Sequence, residues 1–361
     1  MNRKSTFVLL VFAGLVGSAA SHEAMAQVES MLGPAPRLTS QQIPEQLLQP
    51  QSPEIATISF DPQSRIQVAL AYQTVYLPLG LIPIGWTGDV AGCIAGTTTT
   101  AYRQATIDRV NYYRAQAGLP GNVSLFGGSQ SSGTQQAALM FSANTLSHDP
   151  PSSWSCWTQA GHDAAGNSNI ARGSGSNSAA GVGAVDLYME EKGNGNGVVG
   201  HRRWILFPPQ VKMESGSIPY NPQSAANALW VFGPFGTRPS TPNGVAWPSR
   251  GYFPWQLLPA ISNRWSFSWK DANFSSATVS MTRNGVPLGV PSYESIANGY
   301  GDNTLVWIPQ GVTYSQPAAD VTYHVTITGI SGGGAPSTIS YDVIAIDPYN
   351  LGEVIFQNGF D

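Results

Sequence analysis

The chain has few charged side chains for its length. Of its 361 residues, only 11% are Asp, Glu, Lys or Arg, whereas soluble domains usually carry about 25%. The formal net charge is −4 and the isoelectric point lies near 5.7, so there is no basic excess to neutralise phosphates. This composition argues against nucleic-acid binding and predicts a surface rich in uncharged polar residues.

Long hydrophobic runs are also scarce, and the one clear example lies at the N-terminus. Arg3 and Lys4 precede an apolar run over residues 7–20, and Ala24-Met25-Ala26 follows it. This order is typical of a secretory signal peptide. The run is shorter than the ~20 residues of a spanning helix. We therefore predict a signal peptide over residues 1–26, a secreted, extracellular protein and no transmembrane segment in the mature chain.

The sequence contains only two cysteines, Cys93 and Cys156. Both lie in the part predicted to be exported, where an oxidising environment favours disulfides. One disulfide bond between them is the preferred interpretation, and two buried free thiols are the alternative.

The region before the main domain, residues 27–84, is predicted to be a leader followed by an extended arm. Up to about residue 54 it is rich in Pro and Gln and lacks apolar periodicity, which is typical of flexible segments. The segments Ile66–Leu70 and Thr74–Leu77 contain β-type residues. They predict one or two strands, or alternatively an extended arm, packed on the main domain.

The middle of the chain predicts helices interleaved with strands. Apolar residues recur at spacings of three and four after Ala101, and similar patterns cover 133–144 and 182–191. Strands are predicted at 203–207, before Pro208-Pro209, and at 227–232. Because the regular βαβ spacing is missing, the pattern favours an α/β sandwich over a doubly wound sheet.

Three motifs in this region resemble the CAP superfamily of secreted proteins, also called the SCP or cysteine-rich secretory protein-like domain. Residues 108–120 contain an N-x-x-R-x-x-x-G-L pattern, residues 137–148 end in Leu-Ser-His, and residues 200–206 begin Gly-His-Arg, as in bacterial members. The resemblance covers about residues 85–235. It implies an αβα sandwich with a cleft that holds two histidines and two acidic residues.

Carried onto this sequence, the resemblance places His148 and His201 in the cleft. The acidic residue of the third helix corresponds to Glu191, with Glu190 as an alternative one position away. The second acidic residue belongs to a G-E-N-I-A motif, whose counterpart here is Asn167-Ser168-Asn169-Ile170-Ala171. Ser168 therefore stands where the glutamate is expected, which puts in doubt any activity that needs both carboxylates.

Three chemical roles remain open for these residues. His148, His201 and Glu191 could bind a divalent metal such as zinc, since two imidazoles and one carboxylate form a known ligand set. The same residues could transfer protons. Alternatively, the two histidines stabilise the fold through hydrogen bonds. A nucleophilic role for Ser168 is disfavoured, because no G-x-S-x-G turn surrounds it.

Three other polar residues near these motifs are less favoured candidates for a functional role in the cleft. His162 could lie at the rim of the cleft, although an exposed loop histidine is the simpler interpretation. Arg202 and Arg203 follow His201 directly, and on a strand only one of them could face the cleft. Such an arginine would bind an anion or form an internal ion pair with Glu191 or Asp186.

The C-terminal third predicts a second domain made of strands. A Pro- and Gly-rich linker is placed at residues 236–261, an immunoglobulin-like β-sandwich at 262–348 and a tail at 349–361. Asn284-Gly285 is a strong signal for a two-residue hairpin turn. Further strands are predicted at 304–308, 321–328 and 338–346.

Tryptophan is concentrated in this part of the chain. Trp265, Phe267 and Trp269 share one face of a predicted strand, which favours a core position over sugar stacking. Trp247 and Trp255 lie in the predicted linker and are candidates for an interdomain contact.

Two function classes follow from the sequence. The first is a secreted binding or interaction protein whose cleft holds a metal, lipid, glycan or protein partner. The second is a secreted hydrolase that uses His148, His201 and Glu191, with or without a metal. The missing carboxylate and the missing nucleophile turn favour the first.

Overall fold

The computed structural model describes residues 30–38, 57–241 and 243–351. The predicted signal peptide, most of the leader and the end of the tail lie outside the described residues. In the part that is described, no helix combines the length and apolar character needed to cross a bilayer.

The first half of the structure is built on a five-stranded sheet. Its strands occur in the order β1-β3-β5-β4-β2. Neighbouring strands are antiparallel except for β2 and β4, which are parallel. The bounds are β1 Ser30–Leu32, β2 Ser124–Leu125, β3 Ser168–Gly173, β4 Lys212–Ile218 and β5 Ala225–Trp230.

Helices cover both faces of this sheet, so the mixed α/β class is confirmed. Ala226 and Ala228 of β5 pack with α4 and α5, whereas Leu229 belongs to the core cluster that contains α3 and α6. This alternation follows from the two-residue period of a strand. The helix bounds are α1 Arg65–Ala71, α2 Leu77–Leu79, α3 Thr100–Gln116, α4 Gly128–Ala143, α5 Gln159–Gly166, α6 Gly181–Glu190 and α7 Gly200–Ile205.

The arm before the main domain is helical, so the strands predicted at 66–70 and 74–77 are wrong. Helix α1 begins after Ser64, whose hydroxyl accepts a hydrogen bond from the Gln67 amide. A π-helical turn, Tyr72–Tyr76, joins α1 to α2. Val68 and Ala69 of α1 are fully buried, and this packing outweighs the weak strand preference of the local residues.

The strand predicted at 203–207 is also wrong, because these residues begin in helix α7 and continue into a turn. Every residue of α7 is buried, including Arg202 and Arg203. An element buried all round has no amphipathic period, so sequence cannot distinguish a short helix from a strand here.

The second half of the structure contains two sheets that share a core. One sheet has the order β11-β10-β14-β16-β7 and the other has the order β12-β13-β8-β6, while β15 and β9 form a small pair. The bounds are β6 Val245–Trp247, β7 Gly251–Pro254, β8 Trp265–Trp269, β9 Ala272–Asn273, β10 Thr278–Arg283, β11 Val286–Pro287, β12 Ser292–Tyr293, β13 Asn303–Ile308, β14 Val321–Thr328, β15 Ser331–Gly332 and β16 Thr338–Ile346.

Aromatic side chains join the two sheets. The Trp265 ring lies 5.8 Å from that of Tyr323, and the Phe267 ring lies 6.4 Å from that of Tyr341. Trp265 and Phe267 are fully buried, so their predicted core position is confirmed. The predicted hairpin is also present: Asn284 and Gly285 both have positive φ, 49° and 82°, as a type I′ turn requires.

The segment predicted as a linker, 236–261, contributes two strands to this second half. Strand β6 pairs with β8, and β7 pairs in parallel with β16. The two sheets therefore extend over more of the chain than residues 262–348. Trp247 also contacts the first half, with its ring 5.5 Å from that of Tyr113 on α3.

The predicted disulfide is confirmed. Cys93 and Cys156 are bonded, with Cα atoms 5.0 Å apart and a sequence separation of 63. The bond links the segment before α3 to the segment before α5. It thus closes a loop that contains the first two long helices of the sheet-and-helix layer.

Candidate functional site

Glu191 and His201 form a buried pair at the junction of α6 and α7. The Glu191 Oε2 atom lies 2.8 Å from His201 Nδ1, and neither side chain is exposed to solvent. Glu191 Oε1 accepts a second hydrogen bond, from the Arg202 backbone amide at 2.9 Å. One carboxylate therefore orients the imidazole and also satisfies an amide in the first turn of α7.

The backbone of Glu191 makes this arrangement possible. Helix α6 ends at Glu190, and Glu191 adopts a left-handed conformation with φ +59°. Non-glycine residues rarely adopt this conformation, and it costs about 1–3 kcal/mol unless the surroundings impose it. The turn reverses the chain so that α7 starts beside the carboxylate. Arg264 supports the turn by donating to the Glu191 and Gly193 carbonyls.

The two carboxylates that sequence left as alternatives have different surroundings. Glu191 contacts His201, whereas Glu190 Oε1 accepts hydrogen bonds from the backbone amides of Ile261 and Ser262. Glu190 therefore joins α6 to the segment before β8 and takes no part in the histidine pair.

His201 has one ring nitrogen that lacks a partner. With Nδ1 donating to Glu191, Nε2 is an acceptor in the neutral ring. Nε2 is buried and has no hydrogen bond within the described residues. The ring stacks on Tyr188, with centroids 5.4 Å apart, and the Asn169 amide donates to the His201 carbonyl. A carboxylate-oriented imidazole resembles a general base, but it needs a reachable substrate.

His148 is held by a different part of the fold. Its Nδ1 lies 2.7 Å from the Ala165 carbonyl at the end of α5, and its Nε2 contacts the Pro34 carbonyl. No hydrogen bond joins it to Glu191 or His201 within the described residues. Electrostatic repulsion from His201 nevertheless contributes to lowering the pKa of His148.

Burial is the main cause that lowers the pKa of the His148 imidazole below its usual value, and the two carbonyl contacts only partly offset it. Because the unfolded chain takes up this proton more readily, we expect the free energy of unfolding to fall as pH drops below about 6.5. In His148→Gln this part of the pH dependence should disappear. Urea unfolding at a series of pH values tests this, and parallel pH profiles for the two proteins would contradict it.

Ser168, at the start of β3, lies on the face of the sheet opposite to that of His201. Side chains alternate along a strand, so Ser168 shares a face with Ile170, which packs with α4 and α5. Asn169 points the other way, toward His201. Ser168 Oγ is buried and has no partner in the part of the chain described. No base among the described residues bonds to this hydroxyl, so the geometry gives no support to a nucleophilic serine.

The arrangement does not fit a divalent metal. Both nitrogens of His148 face backbone carbonyls, and His201 has only Nε2 free. Among the described residues, no group of three or more His, Cys, Asp or Glu side chains could hold a metal ion. We therefore derive no chemistry from a bound metal at His148, His201 and Glu191.

The two arginines after His201 are structural. Arg202 donates to the Met189 and Arg264 carbonyls, and Arg203 donates to the Ala297 and Asp302 carbonyls. Both are buried and tie α7 to the second half of the chain. The Asp186 carboxylate instead pairs with Arg109, at 3.1 Å. Neither Arg202 nor Arg203 lines the cavity beside His148.

A cavity of about 880 Å³ lies beside His148. Aromatic rings form part of its wall, and Trp230 and Phe232 are only half-buried. The Phe126 and Trp230 rings lie 6.5 Å apart. The other lining residues are mostly polar or small and comprise Arg37, Leu38, Gln130, His148, His162, Asp163, Gly166, Asn167, Gly233, Pro234 and Phe235.

His162 lies on helix α5 and lines this cavity, so the exposed-loop interpretation that the sequence favoured for it is wrong. Its Nε2 is 2.8 Å from an Asp149 carboxylate oxygen, and this hydrogen bond is the main cause that raises the His162 pKa. The aromatic wall was missed by sequence reasoning. A signal existed, because Trp230 and Phe232 are two residues apart at the end of a predicted strand and so could share a face.

Comparison with protein-family models, with curated proteins and with solved structures finds no match for this chain.

Proposed function

We propose that this chain is a secreted, non-catalytic binding protein with a CAP-type domain, and that its cavity beside His148 binds a neutral glycan. The supporting observation is the composition of the cavity wall. Half-exposed aromatic rings can stack on the apolar faces of sugar rings, while amide and carboxylate groups can bond to the hydroxyls. Gln130, Asn167 and Asp163 supply such groups next to Trp230 and Phe126.

The other ligands considered from sequence fit this cavity less well. A lipid needs a mainly apolar lining, but His162, Asp163, Arg37 and Gln130 all contribute to this wall. A metal needs several free ligand atoms, and His148 has none free. A neutral glycan suits a wall that combines rings with uncharged and oppositely charged polar groups.

The hydrolase alternative is weaker, because the residues it requires are engaged elsewhere. Each ring nitrogen of His148 faces a backbone carbonyl, and the Glu191–His201 pair is fully buried and does not line the cavity. A general base must come within hydrogen-bonding reach of its substrate. The arrangement instead favours a role of these residues in holding α6, α7 and the Pro34 segment together.

The CAP assignment rests on the motifs and on the contacts their residues make. Asn111 of the N-x-x-R motif exchanges two hydrogen bonds with the Val123 backbone, each 2.8 Å long. Arg114 of the same motif donates to the carbonyls of Ile205, the last residue of α7, and of Phe207 just after it. Helices on both faces of one sheet agree with the sandwich that the resemblance implies. The disulfide and the signal-peptide pattern support secretion.

The proposal is tested by titrating the purified protein with neutral cello-, chito- and manno-oligosaccharides while following tryptophan fluorescence and heat of binding. We expect at least one series to bind, and we expect Trp230→Ala to weaken binding about tenfold, which corresponds to ~1.4 kcal/mol. Trp269→Ala is the matched control, because Trp269 is also partly buried but lies on β8, outside the cavity.

Two outcomes would count against glycan binding: no oligosaccharide binds, or the two tryptophan variants bind equally well while both remain folded by thermal melting. Mass spectrometry of the same mixtures tests the hydrolase alternative. Cleavage products that vanish in His201→Ala would favour it over a pure binding role.

A further inference from the structure

A short N-terminal segment crosses the surface above the histidines, and we call residues 33–38 the strap. It continues from β1, the edge strand that pairs with β3. The Gly33 amide donates to the Ile170 carbonyl at the end of this pairing. Pro34 and Pro36 fix their own φ, and each disfavours a helical conformation for the residue before it. The strap is therefore extended.

Two side chains donate to carbonyls of the strap. His148 Nε2 contacts the Pro34 carbonyl, and Trp204 Nε1 donates to the Pro36 carbonyl at 2.7 Å. Extended proline-containing segments make no internal backbone hydrogen bonds, so their carbonyls remain available to a partner. Aromatic-lined grooves that bind proline-containing peptides use this property.

The groove under the strap is shaped for small and apolar residues. Ala35 and Pro36 are buried, and Leu38 is only 7% exposed. A Cβ atom on Gly200 would lie 2.5 Å from the Ala35 side chain, so the close approach depends on glycine in α7. At the far end, the Leu38 amide donates to the Gly299 carbonyl at 2.9 Å.

Both halves of the chain contribute to this groove. Gly200 and Trp204 come from α7, while the Asn298 carbonyl accepts a hydrogen bond from Arg37 Nε. Most contacts to the strap use its backbone or Ala35. Such a groove recognises the extended backbone of a proline-containing peptide. At most positions it does not require one particular side chain.

We propose that this groove is a binding site for an extended Gly-Pro-x-Pro segment of another polypeptide, and that the strap is the chain's own occupant of that site. Strand β1, which leads into the strap, pairs with β3 at the edge of the sheet, so departure of β1 and the strap together leaves the inner strands paired. The vacated edge of β3 and the two donors, His148 and Trp204, then bind the incoming segment by strand addition and carbonyl recognition.

This site is separate from the proposed glycan site, although Arg37 and Leu38 border both. The glycan proposal depends on Trp230, whereas the peptide proposal depends on Trp204 and on the state of the strap. Failure of one is therefore distinguishable from failure of the other.

The test uses the full chain and a fluorescent peptide with the sequence of residues 30–38. In Ala35→Glu, the longer charged side chain cannot fit against Gly200, so the strap should leave the groove. We expect the labelled peptide to bind this variant at least tenfold more tightly than it binds the wild-type chain, as measured by fluorescence anisotropy. Trp204→Phe in the Ala35→Glu background should weaken that binding three- to tenfold, because the indole donor is lost.

The matched control is a peptide that itself carries Ala35→Glu, which should not bind. Leu38→Asp provides a second way to release the strap, in case Ala35→Glu does not fold. The proposal is overturned if the folded variants bind the two peptides equally or not at all. It is also overturned if neither variant melts cooperatively, since the strap would then be an integral part of the core.

Discussion

Replacing Glu191 by alanine is expected to lower the free energy of unfolding by about 3–5 kcal/mol. This is the cost of leaving two buried donors without an acceptor, at about 1–3 kcal/mol each. The substitution leaves His201 Nδ1 and the Arg202 amide without their acceptor in a site that water does not reach. It also leaves a left-handed residue at position 191 without the contacts that hold it there. Urea unfolding followed by circular dichroism measures the loss.

Glu190→Ala is the matched control for this prediction. Glu190 is adjacent in sequence, but it is only half-buried and accepts from amides at the edge of the core. We expect it to cost about 1–2 kcal/mol, since hydrogen bonds to charged groups are worth ~1.5–3 kcal/mol when buried. If both variants lowered the free energy of unfolding by the same amount, the Glu191–His201 pair would contribute no more to stability than the contacts of Glu190.

Replacing Arg114 by methionine should be at least as destabilising, with a loss of about 3–5 kcal/mol, because several buried carbonyls lose their donor at about 1–3 kcal/mol each. Arg114 is fully buried, and burial lowers the pKa of its guanidinium to about 9. Within the part of the chain that the structure describes, its guanidinium donates only to backbone carbonyls, which belong to Pro120, Ile205, Phe207, Pro208 and Gln210. Without the guanidinium, the turn after α7 loses the group that holds it together.

Arg65→Met is the control for Arg114, because Arg65 forms a partly exposed ion pair with Asp320. Such pairs contribute about 0–1 kcal/mol, so this variant should be nearly as stable as the wild type. Arg114→Lys should fall between the two, since an ammonium group has three donors and cannot span the same set of carbonyls. A methionine variant as stable as Arg65→Met would contradict the role assigned to Arg114.

The candidate site was partly predictable from sequence. His201 and the choice between Glu190 and Glu191 came from motifs, but only the structure shows which carboxylate meets the imidazole. The deciding feature is the left-handed backbone at Glu191, which turns its side chain toward α7. No local propensity predicts that conformation for a glutamate, because surrounding contacts impose it. The position of the strap could not be predicted from sequence either, because it depends on contacts with Trp204 and Gly299, which lie far along the chain.

Sequence alone determined the features that depend on local chemistry. The helix over 100–116 follows from spacing, the hairpin at Asn284-Gly285 from residues that tolerate positive φ, and the disulfide from a single pair of cysteines. Strands 321–328 and 338–346 were also placed correctly, because alternation persists over eight and nine residues.

Only the tertiary structure decided the elements whose form depends on distant partners. Helices α1 and α7 were mistaken for strands, because short apolar or wholly buried segments carry no period that separates the two. Strands β6 and β7 are three and four residues long and lie among prolines. They exist because β8 and β16 supply hydrogen-bond partners from far along the chain. The stabilisation that these partners provide cannot be inferred from a local stretch of sequence, because it depends on strands that are adjacent only in the folded chain.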